Sequence, residues 1–447
     1  MSYHWRRRGA YCLDLINFPT TGASPVPQSI ASSRYADRTV EVNGRSYAAP
    51  KRPTVVIIVD GFDPAYLEHG IANGTLPTMK SFRENGFMGI ANCSMPSTTN
   101  TNNTSIVTGV APAVHGINGN YYLDSETGEE IMITDAKRLR CGTILGALSH
   151  IGVKTAVVTA KDKLLKVLAY EMEGIHFSSE YAGKANLRDN GIDNVEQLVG
   201  RSTPDQYSAD LSLFVFDAGV KLLSTTRPDL MYLSTSDYVQ HKHAPGEPEA
   251  DAYHHAVDKA VAALIALGAT VAITADHGMN DKSAKDGTPN VIYLEDKLNA
   301  RFGEGSVRVI CPIADPFVRH HGALGSFVRV HLLKTGDVPA MMAFARTLPG
   351  VELVLDREAV CKQFELPLDR EGDFAVFSDR QTVVGARKED HNLGQLAGHR
   401  LRSHGGLGEQ KVPFLLSRPI NAAYQSRAKA GPLHNYDIFD FALNGVV

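Results

Sequence analysis

Cysteine is scarce and scattered in this chain: Cys12, Cys93, Cys141, Cys311 and Cys361 are the only five, and no two form a CxxC pair. An odd, dispersed set argues against a disulfide framework and against cysteine-held zinc. It points to reduced thiols in a reducing compartment, the cytoplasm by default. Net charge is nearly missing as well, since 45 Lys and Arg against 49 Asp and Glu leave −4. That balance gives no reason to expect a nucleic-acid or membrane partner. No apolar run reaches about 18 residues, so a membrane span is not expected. The Arg6–Arg8 run invites a signal-peptide reading, but the apolar stretch after it is short and broken by Asp14, a poor fit to a secretory segment. Internal repeats and low-complexity tracts are also lacking. The remaining picture is a globular polypeptide of 447 residues, 43% hydrophobic, long enough for two or three lobes.

What is present has a recurring form. PTVVIIVDG (53–61) is a continuous β-branched run that closes on Asp60-Gly61, the pattern of a buried parallel strand with a polar residue at its carboxyl edge. The same form returns in KTAVVTAKDK (154–163), DLMYLSTSD (229–237) and ATVAITADHG (269–278). Amphipathic stretches separate the runs, among them YSADLSLFVFDAGVKLL (207–223) and EADAYHHAVDKAVAALIALG (249–268). This alternation implies an α/β fold, a doubly wound and mostly parallel sheet with helices on both faces, whose ligands sit beyond the carboxyl ends of the strands. Residues 281–398 have another texture, with SFVRVHLL (326–333), VELVLDRE (351–358) and DFAVFSD (373–379) around the helix-like DVPAMMAFARTL. They are expected to form an inserted α+β cap lobe. Residues 51–280 and 399–447 are then the core, the last apolar run rejoining its sheet, and 1–50 a leader packed on or near it.

The strand ends gather Asp60, Asp237, His241, Asp276 and His277, and His404 follows later in the chain. Carboxylate and neutral imidazole are the usual ligands of Zn2+ in hydrolytic sites. Asp237 and His241 are four apart, so one helical turn places both on one side. Six such donors with one hydroxyl suit a pair of metals about 3.5–4 Å apart. Each residue alone reads more simply as a cap, a turn or a satisfied histidine; their joint placement carries the metal reading. The stretch NCSMPSTTNTNNTSIVTG (92–109) is crowded with hydroxyls and amides. It reads either as a solvated loop or as a nucleophile at a helix start, where free backbone N–H groups stabilise a phosphoryl anion. Physics alone does not rank Thr98, Thr99 and Thr101.

The segments VVIIVDGFD, PSTTNTNNTSIVTGVAPAVHGINGN, STSDYVQHKHAPG, TADHGMN and SHGG occur in that order. Together they resemble the alkaline phosphatase superfamily, in its nucleotide pyrophosphatase/phosphodiesterase-like branch, and within it the phosphonoacetate hydrolases. The resemblance spans about residues 50–447. It implies that Thr99 is the nucleophile, that Asp60, Thr99, Asp276 and His277 hold one zinc ion, and that Asp237, His241 and His404 hold a second. It also implies that Asn120 contacts a phosphoryl oxygen. Thr101 departs from the pattern, which commonly has proline there, with an effect on stiffness and none on the ligands. His115 follows the pattern as a structural turn residue.

Cleaving a carbon–phosphorus bond requires cations beside the carboxylate of the departing carbanion. Lys161 and Lys163 follow a strand at spacing i, i+2, so in an extended backbone both ammoniums leave on one side, and TAKDKL resembles the carboxylate-binding segment of those hydrolases. The implied activity is hydrolysis of phosphonoacetate to acetate and phosphate through a phosphothreonine, with two Zn2+ ions, a small-molecule phosphonate as substrate and a homodimer as a possible assembly. The alternatives are a phosphodiesterase or nucleotide pyrophosphatase on the same site, and a non-catalytic phosphonate-binding protein. His320 and His321 are expected beside a strand, at the entrance or in packing, and carry no catalytic assignment.

Overall fold

The computed structural model describes residues 38–124, 126–314, 322–396 and 398–447. Most of the leader, His320 and His321 lie outside the described residues. Four of the runs read as strands are strands: β1 (Thr54–Ile58), β3 (Thr155–Thr159), β5 (Leu230–Ser234) and β6 (Thr270–Thr274), each buried along its whole length. Burial of alternate side chains on both sides means that both sheet faces are covered, as a β-branched run without polar alternation requires. They join β2 (Phe87–Asn92), β4 (Gly174–Ser178), β11 (Lys411–Leu416) and β12 (Leu433–His434) in one sheet of order β12-β2-β11-β6-β1-β5-β3-β4. Only β11 runs against the others, pairing antiparallel with both β6 and β2. The C-terminal apolar run therefore does return to the core sheet, and the fold is α/β and parallel-dominated.

Registers explain the site's location. Ile58 pairs with Ser234 on one side and Thr274 on the other, so β1, β5 and β6 end level with one another. Asp60, Asp237 and Asp276 follow those ends by two, three and two residues. Three carboxylates distant in sequence thus meet on one edge.

A second sheet consists of β7 (Val307–Ile310), β8 (Phe327–Leu332), β9 (Val351–Asp356) and β10 (Phe374–Ser378), ordered β7-β8-β10-β9 and antiparallel throughout. One face has its own apolar core, with Val309, Val328, Val330 and Val376 packed on Leu298 and Met341. The opposite face sets Phe327 and Phe377 against Met95 of the main body. The second sheet therefore abuts the start of the hydroxyl-rich stretch.

Candidate active site

That hydroxyl-rich stretch is not a solvated loop. Residues Thr99–Thr108 form a helix, α1, in which every residue after Thr99 is buried. Tertiary partners replace water for its polar side chains. Asn103 Nδ2 donates to Asp276 Oδ2 (3.2 Å), while its Oδ1 accepts from Tyr232 Oη (2.7 Å) and Ser234 Oγ (3.0 Å). Asn102 Oδ1 accepts from the Ser94 amide (2.6 Å) and from Asn435 Nδ2 (3.1 Å). The Ser105 hydroxyl lies 2.8 Å from His115 Nε2. Low helix propensity is offset because a buried polar side chain with a partner avoids the cost of desolvation. Gly109, at φ +71°, ends the helix.

The same geometry ranks the threonines. Thr98 and Thr101 are buried, with their hydroxyls 3.0 Å apart. Thr99 is only half-buried at the first helical position, and its Oγ1 stands 3.3 Å from His277 Nε2.

Two clusters of metal-ligand type face that hydroxyl. Asp237, His241 and His404 form one, and Asp60, Asp237 and His277 the other, each with its ligand atoms within 4.8 Å of one another. Asp237 belongs to both, whereas the sequence reading assigned it to one. Asp237 is the N-cap of a short helix, α2 (Tyr238–Lys242), which brings His241 Nε2 to 2.8 Å from Asp237 Oδ2. His404 Nε2 is 3.6 Å from the same oxygen. His277 Nε2 lies 3.2 Å from Asp60 Oδ1 and 3.7 Å from Asp276 Oδ2. The His277 and His404 rings stack at 3.5 Å between centroids, joining the two clusters. Gly61, at φ +70°, permits this convergence: a β-carbon there would come within 3.2 Å of the Asp237 and Gln240 β-carbons.

The donor set fits divalent cations. All three histidines turn Nδ1 toward a backbone carbonyl: His241 to Arg402 (2.7 Å), His277 to Gly278 (2.8 Å) and His404 to Ser97 (2.7 Å). An Nδ1–H held in this way, the outer hydrogen bond typical of metal-ligating imidazoles, turns Nε2 toward the carboxylates, where a cation would take the place of a proton. Asp60 Oδ1 is buried with no hydrogen-bond partner among the described residues. Burial, then the charges of Asp237 and Asp276, push the Asp60 carboxyl well above its ordinary range. Burial opposes a charge on His277, yet Asp276, Asp60 and Asp237 outweigh it and raise that imidazole to about 10. His404 is driven well below its usual value by burial and then by His277. Three buried carboxylates at one edge call for positive charge.

Asn120, Lys161 and Lys163 line the same cleft as Asp60, Thr99, Asp237 and His404. The lysines arrive by another route than expected. Lys161 is extended and caps helix α3 (Asp162–Leu168), and Lys163 lies in the first turn of that helix, so the i, i+2 pleat is not what aligns them. Lys161 Nζ donates to the Gln206 carbonyl (3.2 Å) and lies 5.5 Å from the Tyr207 ring centre. Gln206 and Tyr207 also line the cleft; no motif marks them, because they belong to a connecting segment. Asn120 Nδ2 donates to the Ile313 carbonyl (3.2 Å), using one of its two amide protons. His115 is fully buried and accepts the Ile117 amide on Nδ1 (3.0 Å), a structural histidine as expected.

The pattern of the type I phosphodiesterase / nucleotide pyrophosphatase family matches residues 54–404. The structure is similar to that of phosphonoacetate hydrolase from Sinorhizobium meliloti 1021 in complex with phosphonoformate, with a TM-score of 0.86 and 46% identity over 92% of this chain and 99% of the other. For the complex of that enzyme with phosphonoacetate, the TM-score is 0.86 and the identity 45% over the same shares. A stretch of 49 residues, 10% of this chain and 68% of the relative, is 49% identical to phosphonoacetate hydrolase of Penicillium oxalicum. Murine ectonucleotide pyrophosphatase / phosphodiesterase 5 shares the fold, with a TM-score of 0.57 and 17% identity over 87% of this chain and 94% of the other.

Proposed function

The chain belongs to the type I phosphodiesterase / nucleotide pyrophosphatase family, and from that premise we propose that it hydrolyses the carbon–phosphorus bond of phosphonoacetate to acetate and phosphate. The observation that carries this reading is a cleft where Lys161 and Lys163 accompany Asn120 and Thr99 at the carboxylate–histidine edge. Its aromatic rings favour an anion over a base: Lys161 lies over Tyr207 at 5.5 Å, and Lys242 over Tyr238 at 4.3 Å.

In this reading Asp60, Thr99, Asp276 and His277 hold one divalent cation, and Asp237, His241 and His404 a second. Zinc, which suits this oxygen and nitrogen donor set, would acidify the Thr99 hydroxyl and offset charge on the phosphoryl oxygens. Thr99 Oγ1 attacks phosphorus while the carbon–phosphorus bond breaks, its electron pair passing to carbon. The second amide proton of Asn120 binds a phosphoryl oxygen as charge builds there. Lys161 and Lys163 hold the carboxylate and stabilise the departing carbanion, which takes a proton to become acetate. Water then attacks the phosphothreonine, releasing phosphate and restoring Thr99. Residues 281–398 act as a cap over the cleft, with 51–280 and 399–447 as the core. The four free cysteines among the described residues fit a cytoplasmic setting.

Phosphate release from phosphonoacetate, measured beside turnover of a nitrophenyl phosphodiester on metal-analysed protein, tests the assignment. Preferred turnover of phosphonoacetate is the expected result. Preference for the diester would replace it with a phosphodiesterase.

A further inference from the structure

Arg329, in the second sheet, and Glu371, in the connection just before β10, form a completely buried ion pair. Arg329, on β8, donates from Nε to Glu371 Oε2 (2.7 Å) and from Nη2 to Glu371 Oε1 (2.6 Å), and both side chains have 0% exposure. The pair is closed by a residue of the main body. Arg329 Nη2 also donates to the Asn118 carbonyl (2.7 Å), and Asn118 Nδ2 donates to Glu371 Oε1 (2.8 Å) and to the Arg370 carbonyl (2.9 Å). Asn118 stands two residues before Asn120, whose backbone N–H donates to the Pro312 carbonyl (2.8 Å). Gly119 between them packs closely on Pro312, where a β-carbon would lie 2.7 Å from Pro312 Cβ.

Stability is a weak reason for such a pair. A buried Arg–Glu pair replaced by apolar residues of similar volume is often neutral or stabilising. This one leaves Arg329 Nη1 and Asn118 Oδ1 buried without a hydrogen-bond partner among the described residues. What the pair does supply is direction: a bidentate fork fixes the guanidinium plane, and that plane fixes the Asn118 carbonyl.

We propose that Arg329 and Glu371 are positioning residues for the reaction, clamping Asn118 so that the Asn120 amide is held at the phosphoryl group. The second sheet thereby supports the cleft through Asn118, two residues from Asn120. This rests on the reading of Asn120 as the phosphoryl contact. Misplacement of such a group by about 1 Å costs on the order of 10²-fold in rate, and the loss falls on kcat because the contact strengthens as charge develops.

The test is a mutant cycle with Arg329→Met/Glu371→Leu, Asn120→Ala and their combination, read as kcat, KM and bound metal. The paired substitution is expected to lower kcat by at least about tenfold with wild-type metal content and little change in KM. In the Asn120→Ala background it is expected to do almost nothing further, because the two act through one contact. Arg329→Lys, which retains charge without the fork, should restore kcat only in part. Equal losses in both backgrounds, or wild-type kcat in the paired variant, would overturn the proposal. If the paired variant does not fold, Asn118→Ala takes its place in the cycle and decides by the same masking. Wild-type turnover of phosphonoacetate judges the substrate assignment separately. An enzyme active only on the nitrophenyl diester would still reveal the clamp when the cycle is run on that diester.

Discussion

At the scale of single residues, three imidazoles whose Nδ1 atoms are tied to main-chain carbonyls, and one half-buried hydroxyl, gather at the carboxylate edge. Thr99→Ala removes that hydroxyl and leaves six Asp and His donors in place. Phosphate release should fall by at least about 10³-fold while bound metal, measured by mass spectrometry, stays near wild type; retained turnover would move the nucleophile elsewhere. Structural histidines behave differently. Burial, then the charge of Arg370, holds His115 down to about 3, against about 6.5 in an unfolded chain. Between those values the unfolded chain binds a proton that the folded one refuses. Stability is therefore undiminished above about pH 6.5 and is lost as pH falls toward 3, by about 1.4 kcal/mol per pH unit for such a residue. His254 and His331, both lowered to about 4 chiefly by burial, act in the same direction. Denaturant midpoints should drop from pH 7 to pH 5, and His115→Gln should flatten that drop; an identical slope in the variant would contradict the neutral buried state.

Among the elements, α1 does what an apolar helix would not. It buries one polar side chain after another and uses them to link strand ends that carry the carboxylates. Asn103 is the clearest case, spanning Asp276 and the β5 residues Tyr232 and Ser234. Asn103→Leu would strand those partners in the interior, at about 1–3 kcal/mol for an unsatisfied buried group. It would also free the Asp276 carboxylate from its outer hydrogen bond, a change that at a metal site commonly costs 10–100-fold in affinity. Urea unfolding and a chelator competition read the two effects, and wild-type values in both would deny α1 its linking part. Lys161 and Lys163 belong to this scale too: α3 begins between them, and a helix start, not a strand pleat, turns both toward the cleft.

For the whole molecule, cations at the sheet edge would connect residues from Asp60 to His404, so their removal should be felt everywhere. Ligands that bind only the folded state add about 2.7 kcal/mol at a hundredfold excess over Kd. Dialysis against a chelator should abolish turnover and lower the melting temperature, and zinc should restore both. A melting curve indifferent to the chelator would separate these donors from metal binding. No helix among the described residues is long and apolar enough to cross a membrane.

Much of this was legible in the linear chain because its signals are local. A β-branched run declares a buried strand, an Asp just beyond it marks the edge where carboxylates gather, and the i, i+4 spacing of Asp237 and His241 declares one helical turn. Those features follow from backbone periodicity, which a short window contains. Contacts across the chain are another matter. That the hydroxyl-rich segment is a buried helix, that Thr99 and not Thr98 or Thr101 meets His277, and that Asp237 stands in both clusters all depend on partners more than a hundred residues away. Arg329 and Glu371 carry no motif at all, and Asn118, though inside GINGN, bears no mark of its contact with them. An arginine in a strand has the same sequence pattern whether it faces water or a buried glutamate, and only the packing of that strand against the connection before β10 decides which.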